Sequence, residues 1–295
     1  MFLWDNIGET RIHFDADGSD GADGVDGTDG TAGTDGAMPA RDTDGLHSVE
    51  RAGTGLAALL DACTVPIVMH DHARAGILGT ATLLVCGGRH LLLTAAHLFH
   101  PATSSGNWLV PERASGQLLA LERAQVHLVP GVDVAVIHLS RTPALPRLLR
   151  GRSAIPAQLA LHARPLARRR KHRAATYCLA GYPAAWSRFE RGYLAAKRLL
   201  ITTMLTTQQR DNRAGAGNAE PATELRCVYG RNAERNDGQM IHTPALEGMS
   251  GAAIWEIERA NGAAALHLAA VQSAFMHSRY LRGDAVHSFE AFLRA

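Results

Sequence analysis

Cysteine is scarce, aromatics are sparse and no long apolar run occurs, and each shortage excludes something. The four cysteines, Cys63, Cys86, Cys178 and Cys227, are scattered through 295 residues and follow no metal-ligand spacing. That excludes a disulfide scaffold and a zinc module, and the thiols read as small buried apolar groups of a reducing compartment. Histidines pair only as His70-x-His72 and as His97 with His100. Further ligands in register are missing, so no metal and no cofactor is expected. The formal net charge is +2, without the bias of a dedicated nucleic-acid binder. No apolar stretch approaches the length needed to cross a bilayer. The opening Met1-Phe2-Leu3-Trp4-Asp5-Asn6 has no basic flank and no small-residue cleavage site, so a cytoplasmic location is expected.

What is present begins with an unusual run. Glycine recurs at every third position from Gly18 to Gly36, and aspartate usually precedes the next glycine. A collagen-like helix shares the period, but the run is short, lacks proline and would crowd negative charge. A calcium loop wants ligands at alternate positions and a closing glutamate, which are absent. A flexible acidic tail over residues 1–45 is the favoured reading. In residues 46–63, Leu46, Val49, Ala52, Leu56, Leu59, Leu60 and Cys63 fall near helical spacing, weakened by Gly53 and Gly55.

From residue 64 the pattern turns to short strands. Val65–Met69, Ile77–Val85, Arg89–Thr94, Gln117–Leu128 and Val134–Leu139 form a first β-unit over about 64–140, broken at Gly76, Gly87-Gly88, Pro111 and Pro130-Gly131. Ala175–Ala180, Tyr193–Thr206, Glu224–Tyr229, Ala252–Ile257 and Ala264–Phe275 form a second over about 174–284. A closing helix is expected over 285–295, with Val286, Phe289, Phe292 and Leu293 on one side. Two successive groups of strands predict an all-β domain of paired barrels or sandwiches over 64–295. Between the groups lies a basic insert, about 141–173, ending in Arg168-Arg169-Arg170-Lys171. A solvated loop is its first reading. The others are a nucleic-acid patch, a processing site, or an intramolecular dock for the acidic tail. Nucleic acid is disfavoured because no aromatics interleave with Arg164–Arg173 to stack bases.

Three segments then carry chemistry: Leu93-Thr94-Ala95-Ala96-His97, Val132-Asp133-Val134-Ala135-Val136 and Glu247-Gly248-Met249-Ser250-Gly251. A serine hydroxyl is a poor nucleophile at neutral pH and needs an imidazole to take its proton. The imidazole needs a carboxylate to hold its tautomer and to stabilise the imidazolium that forms. The oxyanion needs preorganised N–H donors, each contributing about 3 kcal/mol. Gly248 permits a tight turn that aims the N–H groups of Gly248 and Ser250 into one small cavity. Singly, each segment reads equally as a glycine turn, a strand-end histidine or a turn aspartate. Together, in the order His, Asp, Ser, they form the parts of an activated serine.

With Gly79-Thr80-Ala81-Thr82-Leu83-Leu84, Gly181-Tyr182-Pro183 and Gly248-Met249-Ser250-Gly251-Ala252, these segments make the chain resemble the trypsin-like, chymotrypsin-fold serine peptidases, particularly bacterial members without disulfides. The resemblance covers roughly residues 65–290. It implies two antiparallel six-stranded β-barrels with His97 and Asp133 from the first, Ser250 from the second, and the cleft between them. It also implies that Ser273 lies on the cleft strand and supports Asp133, and that the pocket base forms near Pro244 and Ala245. No carboxylate sits there, which disfavours cleavage after Arg or Lys, while Phe275 narrows the pocket toward small or apolar residues; Glu247 is the alternative contact for a basic group. Met249 stands where many members have an aspartate that pairs with a freed N-terminus, so that route of activation is not expected. Leu98 replaces a cysteine common after the histidine.

The expected function is hydrolysis of peptide bonds in protein or peptide substrates through an acyl-enzyme. The alternative is a latent or inactive binding module on the same fold, regulated by the tail and the basic insert.

Overall fold

The computed structural model describes residues 10–13, 55–70, 75–99, 107–157, 161, 176–190, 193–206, 223–235, 240–260, 263–276 and 279–294. The Gly18–Gly36 run, the Arg164–Arg173 cluster, its proposed docking to the tail, His72 and His100 lie outside the described residues.

Two curled antiparallel sheets dominate. The first runs Leu118–Ala120, Asn107–Pro111, Thr64–His70, Ala75–Cys86, Arg89–Thr94, Ala135–His138 and Gln125–Leu128, with Ile155–Pro156 added in parallel beside Ala75–Cys86. The second runs Glu224–Val228, Tyr280–Ala285, Ala263–Met276, Ala253–Ala260, Thr176–Gly181, Leu199–Met204, Thr10–His13, Asn232–Arg235 and Met240–His242. A separate ribbon pairs Ser187–Glu190 with Tyr193–Ala196.

The expected closed six-stranded barrels are corrected by this pairing. The end strands of each sheet do not pair with one another, so both sheets are open half-barrels of eight and nine strands. Two expected long strands also break. Gln117–Leu128 divides into Leu118–Ala120 and Gln125–Leu128 around Arg123, whose φ is 61°. Tyr193–Thr206 divides into Tyr193–Ala196 and Leu199–Met204. Thr10–His13, inside the expected tail, pairs in parallel with Leu199–Met204 and extends the second sheet. The closing helix is shorter than expected: Tyr280–Ala285 is a strand, followed by a 3-10 turn at Val286–Ser288 and an α-helix at Glu290–Arg294.

Alternation explains the packing. Val65, Ile67, Ala81, Leu83, Leu92 and Ile137 fill the inside of the first sheet. Leu179, Ile201, Cys227, Met249, Ile254 and Leu281 fill the second. Their sequence neighbours Leu84, Leu91, Leu93 and Val136 face the other way and meet Ala180, Leu200, Trp255 and Leu268 across the interface. Strands buried on both faces read as continuous apolar runs, which is why Leu91-Leu92-Leu93 lacks polar alternation. Two helices cap this shared layer: residues 55–63 insert Ala57, Leu60 and Cys63, and the C-terminal segment inserts Val286, Phe289 and Leu293. The Cys86 thiol donates to the Leu293 carbonyl at 2.8 Å. Burying this layer packs the two sheets against each other, with the candidate site at their junction.

Candidate active site

Register brings the histidine and the aspartate together. Arg89–Thr94 pairs with Ala135–His138, Thr94 opposite Ala135. Asp133 enters two residues before Ala135, and His97 leaves three residues after Thr94 in the 3-10 turn Ala96–Phe99. Buried Leu98 and Phe99 anchor that turn, leaving His97 exposed. Residues 36 apart in sequence therefore meet at the same strand end.

The contact has two points. The His97 N–H donates to Asp133 Oδ1 at 2.8 Å, and His97 Nδ1 lies 2.6 Å from Asp133 Oδ2. Both carboxylate oxygens are thus committed to one residue, which restrains the imidazole as well as orienting it. With the Nδ1 proton directed at the carboxylate, Nε2 carries the free lone pair and is the nitrogen able to accept a proton.

Ser250 sits in a turn whose carbonyls are all engaged. Met249 N–H donates to Leu246 at 2.9 Å, Ala184 N–H to Glu247 at 2.7 Å, and Ala252 N–H to Met249 at 2.9 Å. Thr80 holds the turn from the other sheet: its hydroxyl donates to the Gly248 carbonyl at 2.8 Å, and its N–H to the Ser250 carbonyl at 2.8 Å. Gly251 N–H donates to Gln272 at 2.7 Å. Among the described residues, the N–H groups of Gly248 and Ser250 donate to nothing. The trans peptide places the Gly248 N–H opposite the Glu247 carbonyl, so anchoring that carbonyl on Ala184 turns the N–H away from it.

Two glycines make the turn possible. Gly248 has φ +88°, and a Cβ there would lie 2.7 Å from the Tyr182 carbonyl oxygen. Gly251 has φ +91°, and a side chain there would collide with the Thr94 hydroxyl and the Thr80 carbonyl. That close approach is what seats Ser250 beside the strand end bearing His97. Among the described residues the Ser250 hydroxyl makes no hydrogen bond, so its link to His97 Nε2 is not closed in this structure; such links often tighten only when substrate is bound.

The remaining expected residues divide. Ser273 is buried on the Ala263–Met276 strand at an irregularity in its pairing with Tyr280–Ala285. Its buried hydroxyl has no hydrogen-bond partner among the described residues. Among the described residues no hydrogen bond joins Ser273 to Asp133. Phe275 packs on the core of the second sheet, and the Pro244 carbonyl accepts the buried Tyr229 hydroxyl. Ala245 and Glu247 are exposed. Met249 is fully buried over Gly181, where a Cβ would lie 2.6 Å from its sulfur. Burial pushes the Cys63 and Cys178 thiols up to about 12, which leaves neither a nucleophile at neutral pH.

Sequence reasoning singled out neither Thr80 nor Asp284. Thr80 lay inside the Gly79–Leu84 segment, yet its double hold on the serine turn depends on contacts 168 residues away. Asp284 lay at the end of the expected second group of strands, one residue before the expected helix.

No established family model and no curated protein matches this chain. The half-barrel architecture is compatible with a chymotrypsin-like fold, and the functional reading rests on the geometry above. No helix among the described residues is long and apolar enough to cross a membrane.

Proposed function

We propose that this protein is a serine peptidase that cleaves peptide bonds through an acyl-enzyme. The observation that carries the reading is the two-point clasp of His97 by Asp133 at a strand end against which a Gly-x-Ser-Gly turn is packed with two undonated N–H groups. Ser250 would attack the substrate carbonyl as His97 Nε2 takes its proton. Asp133 would stabilise the imidazolium, and the N–H groups of Gly248 and Ser250 would hold the oxyanion. The imidazolium would then protonate the leaving amine, and water, activated the same way, would release the acid.

The buried Met249 supports an enzyme that needs no freed N-terminus for its turn, since a thioether packed in the core cannot form an ion pair. The open Ser250–His97 gap favours a second reading, a latent binding module on the same scaffold.

Labelling by a fluorophosphonate probe separates the two. Rapid labelling of the full chain, abolished in Ser250→Ala, is the expected result. A folded full chain that does not label gives the latent module the lead.

A further inference from the structure

Directly behind the nucleophile turn lies an amide with nothing to bond. Gln272, on the Ala263–Met276 strand, is fully buried, and neither end of its side-chain amide has a hydrogen-bond partner among the described residues. Its backbone, by contrast, is tied to the turn. The Gly251 N–H donates to the Gln272 carbonyl at 2.7 Å, and the Gln272 N–H donates to the Ala252 carbonyl at 2.9 Å. Gln272 is therefore one strand spacing, about 5 Å, from the two residues that follow Ser250.

Register sets where the side chain points. Pairing is regular from Ala270 to Gln272, so Gln272 shares the face of Ala270, which packs with Leu246, Met249, Ala252 and Ile254 inside the second sheet. Opposite it stands Gly283, where a Cβ would lie 2.7 Å from the Ile254 side chain, on that same face. These surroundings are apolar and uncharged. The next residue, Ser273, is the extra residue of a bulge, since Gln272 pairs with Gly283 and Ala274 with Arg282. Beyond it the strand surfaces, with Phe275 half-buried and Met276 exposed. Bulges recur beside active sites, where they re-aim side chains. A buried amide without partners destabilises the folded chain, and nearly all such groups in proteins are paired. Exceptions concentrate at functional sites.

We propose that Gln272 is a specificity-determining residue: its amide receives the side chain of the substrate residue whose carbonyl is attacked, and selects glutamine or asparagine there. This rests on the peptidase reading of Ser250. The N–H groups of Gly248 and Ser250 fix the attacked carbonyl at the turn, and the side chain nearest that carbonyl belongs to the same residue. An amide offers two donors and an acceptor, and a second amide matches both kinds. A carboxylate uses the donors alone, and a Lys or Arg side chain the acceptor alone; each would also bury a charge on an uncharged face. A leucine leaves every one of these groups unpaired. The preference differs from the small or apolar one that Phe275 implied in the sequence.

Five peptides that differ only in that residue, Gln, Asn, Glu, Leu or Lys, test the assignment by kcat/KM on the full chain, with fluorophosphonate labelling as the control for a working nucleophile. Gln or Asn should lead Glu, Leu and Lys by about 10- to 100-fold. In Gln272→Met, which keeps the volume and removes the amide, the carboxamide-to-Leu ratio should fall to about one or below. That ratio compares two peptides on one variant, so a loss of total activity does not alter it. If Gln272→Met does not fold, the order on the unaltered chain decides. A labelled chain that prefers Glu, Leu or Lys, or cleaves none of the five, overturns the proposal, as does an unchanged ratio in Gln272→Met. If the full chain does not label, the peptidase reading fails, and NMR of the Gln272 side-chain amide decides the recognition. Its resonance must then shift with the Gln or Asn peptide and not with the Leu peptide, and any other response overturns the assignment.

Discussion

At the scale of single residues, the site divides groups that do chemistry from groups that hold them. Asp133 does both, since one oxygen takes the His97 N–H and the other the imidazole. Asp133→Asn can accept only one of those protons with its remaining carbonyl oxygen, and its amide directs N–H groups at the other. The variant is expected to fold with its unfolding midpoint little changed, while fluorophosphonate labelling falls roughly 1,000- to 10,000-fold. A loss below tenfold would mean that His97 is oriented by something else. The motif residues were legible in the sequence because this chemistry accepts few alternatives: His97, Asp133 and Ser250 are each the type the reaction demands. Thr80 was not, because a threonine inside an apolar strand carries no signal until the serine turn packs against it.

Elements contribute by closing distances. The Ala75–Cys86 strand belongs to the first sheet, yet its Thr80 binds the serine turn of the second at two carbonyls and accepts the Tyr182 N–H at 3.1 Å. Thr80→Val retains the shape and deletes the hydroxyl. The Gly248 carbonyl and the Tyr182 N–H are then left without that partner, and a loss of about 1–3 kcal/mol in urea unfolding is expected. Labelling should fall more than tenfold, since the Gly248 peptide is released to rotate. Unchanged labelling with reduced stability would show that the Ala184–Glu247 bond alone holds the turn. Strand assignment from sequence succeeded where apolar periodicity was strong: Arg89–Thr94 is found with its expected ends. It failed at Asn107–Pro111, Ser187–Glu190, Asn232–Arg235 and Met240–His242, short ribbons whose strand character comes from pairing rather than composition.

For the whole molecule, the question is what keeps two open sheets in register. Part of the answer is the shared apolar layer under both. Another part is Asp61, on the helix of residues 55–63, which pairs with Arg113 after the Asn107–Pro111 strand and with Arg198 before Leu199–Met204 at 2.6 Å. One carboxylate thus ties the first sheet to the second. Asp61→Asn removes the carboxylate charge that faces Arg198, whose side chain is only 9% exposed, and should lower stability by roughly 1–3 kcal/mol. The test is urea unfolding: the midpoint should fall while the slope is kept. An unchanged midpoint would mean that the helix is held by Ala57, Leu60 and Cys63 alone.

The amino-acid sequence by itself determined the all-β class, the two successive groups of strands and the triad candidates. Those features follow from local periodicity and from residue chemistry, which a chain carries wherever it folds. Tertiary structure alone decided that the sheets stay open, that Thr10–His13 joins the second sheet, and that Thr80 holds the nucleophile turn. Each of these depends on which distant backbones pair and in what register, and a one-residue change of register would move every side chain concerned to the opposite face.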